Sequence, residues 1–453
     1  MMDGVRAAVP ALLAVLLLAG CAQVVPGRGA PVAAGADVPA AVATDVVDAG
    51  SAAATATAAI QDFWRAEFPA AFGERWTDIA TFLPATTGSP TPPCVADVAE
   101  VADQAYYCPS ADAVVWDAEG LVPALYEGFG HVGVVVVLAH EIGHAVQTRL
   151  GLDAAQAADP QRYPTILLEA MADCYAGVVL RHLADDPTPG LPVGPLERDA
   201  ALRTLVGFRD PLGVAAGDEG AHGNAFDRLS AFRAGYDDGT GRCSAMTVPE
   251  RGFTQVRFGS AADLARAGDL PLPDLLGAVE QDAGAWATEL SGVPGWTAPP
   301  LVSGACPDAA AQGPVRLCPI IGDPLDEGLL DGGPIDVDPA LLGLLHRDLG
   351  DFAGATLISG RYALAALRAA GAPVEGLDAG HAAVCLAGAY AGQLLVAPVG
   401  FRLSPGDLDE AVQVLLVDDW AARDTAGRAD PAEHGYERVA RYEDGLRGGP
   451  GAC

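Results

Sequence analysis

Val134-Val-Val-Val-Leu-Ala-His140-Glu141-Ile-Gly-His144-Ala-Val-Gln147 is the stretch around which this 453-residue chain is organised. An apolar run leads into the pattern H-E-x-x-H, and the residues after it are all compatible with a helix. On a helix, side chains four apart share a face, so His140 and His144 can hold one metal ion between them. Glu141, one position on, is placed to take a proton from a water that the metal activates. Neutral imidazoles suit zinc, and three protein ligands leave a fourth position for that water. With eight histidines in the chain the pattern can also arise by chance, so the segment C-terminal to it decides the matter.

Leu150-Gly151 reads as a helix end, and a loop with Pro160 and Pro164 leads to a second apolar helical run. That run is Ile166-Leu-Leu-Glu169-Ala-Met-Ala-Asp173-Cys174-Tyr-Ala-Gly177. A lone carboxylate in so apolar a segment is costly to bury unpaired, and metal ligation by Glu169 removes that cost. Asp173, one turn later, can orient a ligating histidine from behind. The alternative is a half-exposed Glu and Asp on an ordinary helix.

H-E-I-G-H-A-V-Q followed by L-E-A-M-A-D-C-Y-A-G resembles the bacterial neutral zinc metallopeptidase family, and more broadly the gluzincins with H-E-x-x-H…E-x-x-x-D. The family's short strand before the active helix is matched by Tyr106 to Asp117, and its closing segment by His222 to Tyr236. The resemblance spans roughly residues 59–247 and is most specific in the two ligand segments. It implies Zn2+ held by His140, His144 and Glu169, Glu141 as general base, and peptide-bond hydrolysis with an undefined substrate. His222 is a possible stabiliser of the oxyanion, although the recurrence of its His-Gly pair in a metal-free second copy favours a structural role.

The first twenty residues carry an apolar run, Ala11 to Leu18, too short to span a bilayer, which reads as a signal-peptide core. It ends in Leu18-Ala19-Gly20-Cys21, similar to the lipobox of bacterial lipoproteins, whose cysteine is lipidated. Residues 21–58, rich in Ala, Val, Gly, Pro and Thr with no aromatics, read as a flexible tether. A net charge of −33, with no lysine at all, argues against nucleic acid or anionic lipid as a partner. Partners are expected to be a peptide or protein substrate and, through the lipid on Cys21, the outer face of the cell membrane. Fifty-one per cent hydrophobic residues suffice for two cores.

Nine cysteines become eight once Cys21 is set aside, and in an oxidising compartment these should pair. The chain repeats itself. Phe226 to Cys243 lies without gaps on Tyr436 to Cys453, and Cys174-Tyr-Ala-Gly177 on Cys385-Leu-Ala-Gly388. Trp76-Thr77 and Trp296-Thr297 precede Cys94…Cys108-Pro and Cys306…Cys318-Pro. Residues 270–453 are therefore expected to be a diverged second copy, with the pairs Cys94–Cys108, Cys174–Cys243, Cys306–Cys318 and Cys385–Cys453. In that copy Leu357-Ile-Ser-Gly360-Arg361 stands where the metal motif should be, so it is expected to be non-catalytic. His222-Gly223 recurs there as His434-Gly435.

The expected fold is α+β. A small zincin-like domain over residues 59–247 has an antiparallel sheet with edge strand Asp112–Asp117 packed on the H-E-x-x-H helix, and that edge can take an extended peptide. A mostly helical second copy follows. The expected function is a membrane-anchored, extracytoplasmic zinc metallopeptidase. A lipoprotein that holds zinc and acts as a binding or assembly module is the alternative.

Overall fold

The computed structural model describes residues 48–306, 313–318, 333–396 and 401–453. The signal segment, Cys21 and residues 22–47 of the expected tether lie outside them. The rest of that tether is not a tether. Helix α1, Ala49–Phe72, begins inside it, capped by the Asp48 carboxylate on the Ser51 N–H and burying Ala52, Ala53 and Ala56. Alanine is the best helix former, and its small side chain lets a helix pack closely without aromatics.

Strand β1 (Thr81–Ala85), β2 (Ala105–Cys108) and β3 (Ala113–Asp117) form a mixed sheet in the order β1-β3-β2. β1 runs parallel to β3 (Thr81↔Ala113) and β2 antiparallel to it (Ala105↔Trp116). The expectation of an antiparallel sheet edged by residues 112–117 is thus corrected: β3 is central, and β2 is the edge that meets the helix of the H-E-x-x-H motif. Alternation sorts the faces. Tyr107, Val114 and Trp116 join the main core, whereas Tyr106, Cys108, Ala113 and Val115 form a small separate cluster with Val101.

Helix α2 (His131–Arg149) carries the metal motif, and α3 (Thr165–Asp185) carries Glu169 and Asp173. From Val132 to Ile142 every residue of α2 is buried, as expected of a helix apolar nearly all round. At its end, the Arg149 guanidinium lies 4.4 Å from the centre of the Trp76 ring and donates to Asp112 at 3.0 and 3.2 Å. Asp112 also accepts the Tyr107 hydroxyl at 2.8 Å, so one arginine locks the sheet onto α2. Next come α4 (Pro195–Gly207) and α5 (Ala225–Asp238).

Helices α3 and α5 pack almost backbone to backbone. A Cβ on Gly177 would fall 2.0 Å from the Phe232 carbonyl oxygen, and one on Gly235 1.8 Å from that of Cys174. Cys174–Cys243 bridges the same junction. Gly235→Ala has backbone on the other side of its new methyl, so neither partner can yield cheaply. We expect a loss of about 3 kcal/mol or more, the upper end of overpacking costs, read as a shifted denaturant midpoint.

The second half is built from α6 (Leu272–Ser291), strands β4 (Leu301–Ser303), β5 (Val315–Leu317) and β6 (Ile335–Val337), then α7 (Asp351–Ala369), α8 (Leu377–Val396), α9 (Asp407–Val417) and α10 (Gly435–Gly448). Its sheet has the order β4-β6-β5, with the outer pair parallel and antiparallel as in the first. Helices α8 and α10 meet at glycines too: a Cβ on Gly388 would lie 1.9 Å from the Tyr442 carbonyl, and one on Gly445 1.8 Å from that of Cys385. All four expected disulfides are present. Helix α8 is the one described helix long and apolar enough to cross a membrane, but 67% of its most apolar window is buried in the fold, as befits a core helix.

The two halves do not have a main core each. One contiguous hydrophobic cluster runs from Ala53 to Leu446 through both halves. Polar ties accompany it: Asp199 on α4 accepts the first two N–H groups of α10, from Gly435 and Tyr436, both at 2.8 Å. Asp409 accepts the Phe226 N–H at the start of α5 at 3.1 Å, and buried Glu443 binds Ser230 and Arg233.

Candidate metal centre

The i,i+4 spacing on α2 and the pairing of α2 with α3 bring His140, His144 and Glu169 to one point. His140 Nε2 lies 3.2 Å from His144 Nε2 and 3.2 Å from Glu169 Oε2, and His144 Nε2 lies 3.6 Å from Glu169 Oε1. Tetrahedral zinc with bonds of about 2.0–2.1 Å requires ligand atoms about 3.3 Å apart, which the His140–His144 and His140–Glu169 distances match.

The far side of each ring fixes its proton. His140 Nδ1 is 2.7 Å from Asp173 Oδ1, which can only accept. His144 Nδ1 is 3.0 Å from Gln147 Oε1, and the Gln147 amide is oriented because its NH2 donates to the Leu168 carbonyl at 2.6 Å. Both Nδ1 atoms therefore donate, and both Nε2 atoms turn bare lone pairs toward the same spot as a carboxylate. Three lone-pair groups converging in a buried place demand a cation.

Behind them, Asp173 is fully buried and gripped by Arg228 of α5 through two bonds, at 2.9 and 2.8 Å. Glu141, also buried, points to the sheet: its Oε2 accepts the Tyr107 N–H of β2 at 3.0 Å. That bond ties the carboxylate of the expected base to the sheet edge.

A family model described as "Putative neutral zinc metallopeptidase" matches residues 14–246, just over half of the chain. The chain belongs to this family. Two curated relatives, both called "Uncharacterized protein YpfJ", come from Escherichia coli strains K12 and O6:H1 (CFT073). Each is 29% identical over 149 residues, or 30% of this chain and 50% of the relative. The chain thus spans about half the length of the curated relatives it matches. No solved structure matches.

In this neutral zinc metallopeptidase family member, the charges at the site follow from the geometry. Burial opposes a charged His140, but Asp173 and Glu169 outweigh it and lift the imidazole to about 10, so a proton takes the place of a metal when none is supplied. Burial likewise opposes Glu169, yet His144, His140 and His222 hold it well below the usual carboxylate range. Asp173 is also held low: burial is overcome by Arg228 and His140. Glu141 goes the other way, raised by burial and only partly restrained by the two imidazoles.

His222 lies close enough to Glu169 for their charges to interact, and its Nδ1 is 3.3 Å from Asp210 Oδ1. Burial opposes its protonation, but Asp210 and Glu169 raise its pKa. Sequence reading assigned no role to Gln147, Arg228 or Asp210. Gln147 carried a usable signal, since it sits three residues after His144 on the same helix face. Arg228 recurs as Arg438 in the internal repeat, but nothing local paired it with Asp173, 55 positions away.

Proposed function

We propose that this chain is an extracytoplasmic zinc peptidase. The observation that carries the reading is the convergence of two Nε2 lone pairs and one carboxylate, beside a buried carboxylate that ligates nothing. His140, His144 and Glu169 would hold zinc, with Asp173 and Gln147 fixing the two rings. When bound, zinc supplies Lewis acidity toward the scissile carbonyl and the attacking water. Glu141 takes a proton from that water and returns it to the leaving amine, one carboxylate serving as base and then acid. The Tyr107 N–H holds the Glu141 carboxylate in place through this exchange. His222, whose pKa Asp210 and Glu169 raise, would donate to the oxyanion as negative charge builds on it. An extended peptide would lie along β2, the edge nearest Glu141, rather than along β3.

The second half we read as a diverged, non-catalytic copy. Its like sheet order, its glycine contacts at corresponding positions and its matching disulfides support this. Arg361, in place of the second histidine, turns its buried guanidinium to the carbonyls of Trp420, Ala421 and Arg423. We further propose export and lipid anchoring at Cys21, for which four disulfides and the Leu-Ala-Gly-Cys sequence are the support.

The test is metal content by mass spectrometry beside cleavage of an unstructured protein. About one zinc per chain, absent from His144→Ala together with the cleavage, is the expected result. A chain that takes up no zinc after refolding with intact disulfides sinks the peptidase reading. Zinc without cleavage leaves the binding-module alternative in its place.

A further inference from the structure

A second group of carboxylates is buried in the other half of the molecule. Asp269, Asp351 and Glu410 each place one oxygen within 4.8 Å of the others. Asp407, one turn before Glu410 on α9, repels both Asp351 and Glu410. Asp351, Asp407 and Glu410 are only 2%, 2% and 6% exposed.

Part of this arrangement has an ordinary explanation. Glu410 accepts the Phe352 N–H at 2.7 Å at the start of α7, as acids do at helix N-termini. Leu270 N–H donates to Asp351 Oδ2 at 2.6 Å, and Ser404 N–H to Asp407 Oδ2 at 2.9 Å. Each bond satisfies one oxygen. Asp351 Oδ1 and Asp407 Oδ1 remain buried with no hydrogen-bond partner among the described residues. Helix capping accounts for neither.

The chain has no lysine. Arg266, 37% exposed, donates to the Asp269 carbonyl at 3.0 Å and lies 3.8 Å from Asp263, and the His346 ring is on the Leu270 carbonyl at 2.6 Å. Both act on Asp351 through space, and Arg257 and Arg402 line the neighbouring cavity. Burying several carboxylates together is strongly unfavourable unless cations meet them. The backbone nevertheless makes room for them. At Gly350 (φ +119°) a Cβ would lie 2.1–2.4 Å from atoms of the Glu410 carboxyl group. A cavity of about 750 Å³, lined in part by Asp263, Asp351, Ser404 and Asp407, gives an ion a way in.

We propose that Asp269, Asp351, Asp407 and Glu410 bind a Ca²⁺ ion, with the two orphaned oxygens, Asp351 Oδ1 and Asp407 Oδ1, among its ligands. Calcium takes six to eight oxygens in flexible geometry and tolerates several carboxylates with waters from the cavity. Magnesium requires near-ideal octahedral geometry, and zinc prefers nitrogen and sulfur. Burial and mutual repulsion raise Asp351 to about 6 and Asp407 and Glu410 well above their ordinary values, as expected of acids crowded together without a bound cation. The site would pin the start of α7 to the start of α9, and it is independent of the peptidase reading.

The experiment uses the zinc-loaded chain in calcium-free buffer near neutral pH, titrated with Ca²⁺ alone by calorimetry and thermal unfolding. We expect saturable binding of about one ion. At a hundred times the Kd, the folded-to-unfolded ratio should rise about a hundredfold with zinc content unchanged. Asp351→Asn and Asp407→Asn each remove a buried charge, so both should fold and lose the calcium response. The proposal fails if Ca²⁺ up to about 10 mM, above the range of weak extracellular sites, gives neither heat nor stabilisation. It also fails if both variants still respond, or if Mg²⁺ serves equally well.

Discussion

Glu141→Gln should keep its zinc and lose peptide hydrolysis by at least about 10²- to 10⁴-fold, the span attributed to a general acid–base group. Glutamine is nearly isosteric, so its amide oxygen can still accept the Tyr107 N–H that Glu141 Oε2 accepts at 3.0 Å. It cannot take a proton from water at neutral pH. Glu141 is not one of the three converging groups, so metal binding should survive. Stability should hold or improve, because burial already disfavours the charged form at this position. Zinc by mass spectrometry, cleavage of an unstructured protein and a denaturant curve together read all three. A protein that merely holds zinc would behave alike with either residue, so undiminished cleavage in the glutamine variant would remove Glu141 from the mechanism.

The second large effect is expected at a residue that cannot touch substrate from behind Asp173. Arg228→Met leaves the fully buried Asp173 carboxylate with His140 as its remaining charged partner. Stripping one partner from a buried ion pair costs about 3–5 kcal/mol. It also frees the ring that Asp173 orients, for which a 10- to 100-fold fall in metal affinity is expected. Adding Asp173→Asn separates the two effects. The double variant has no stranded charge and should regain most of the stability, but His140 would still lack its carboxylate and zinc would stay weakly held. Chemical denaturation and competition with a chromogenic zinc chelator measure the two quantities. Recovery of both in the double variant would show that the pair supports the fold and not the metal.

What could be read from the chain was whatever local spacing encodes. Two histidines four apart on a helix, and an acid in an otherwise apolar run, come to one point because α2 and α3 pack side by side, and their own burial marks those helices as partners. The disulfides were legible because the same cysteines recur in order. Long-range pairing was not legible. Thr81-Phe-Leu-Pro-Ala85 is too short and too broken by Pro84 to announce that it joins β3 in parallel and moves β3 to the centre. The alanines of α1 look like a spacer because their contribution lies in closeness of packing, which only a partner surface reveals. Arg228 escaped for a related reason: its partner, Asp173, comes from another helix. Gln147 was readable, since the His144 ring it fixes is on its own helix.

The bonds between the two halves bear on how this protein can be handled. The helix that delivers Arg228 begins on the Asp409 carboxylate, and further along it Ser230 and Arg233 are held by Glu443. Both acids belong to the half without a metal motif. The metal-bearing half is therefore not a detachable cassette. A clone ending near residue 247 would keep the Asn224 cap but lose the Asp409 carboxylate at the start of that helix, strip the apolar face beneath it and yield an aggregating fragment, however complete its motif. Transplanting, trimming or shuffling this metal site requires both halves to travel together.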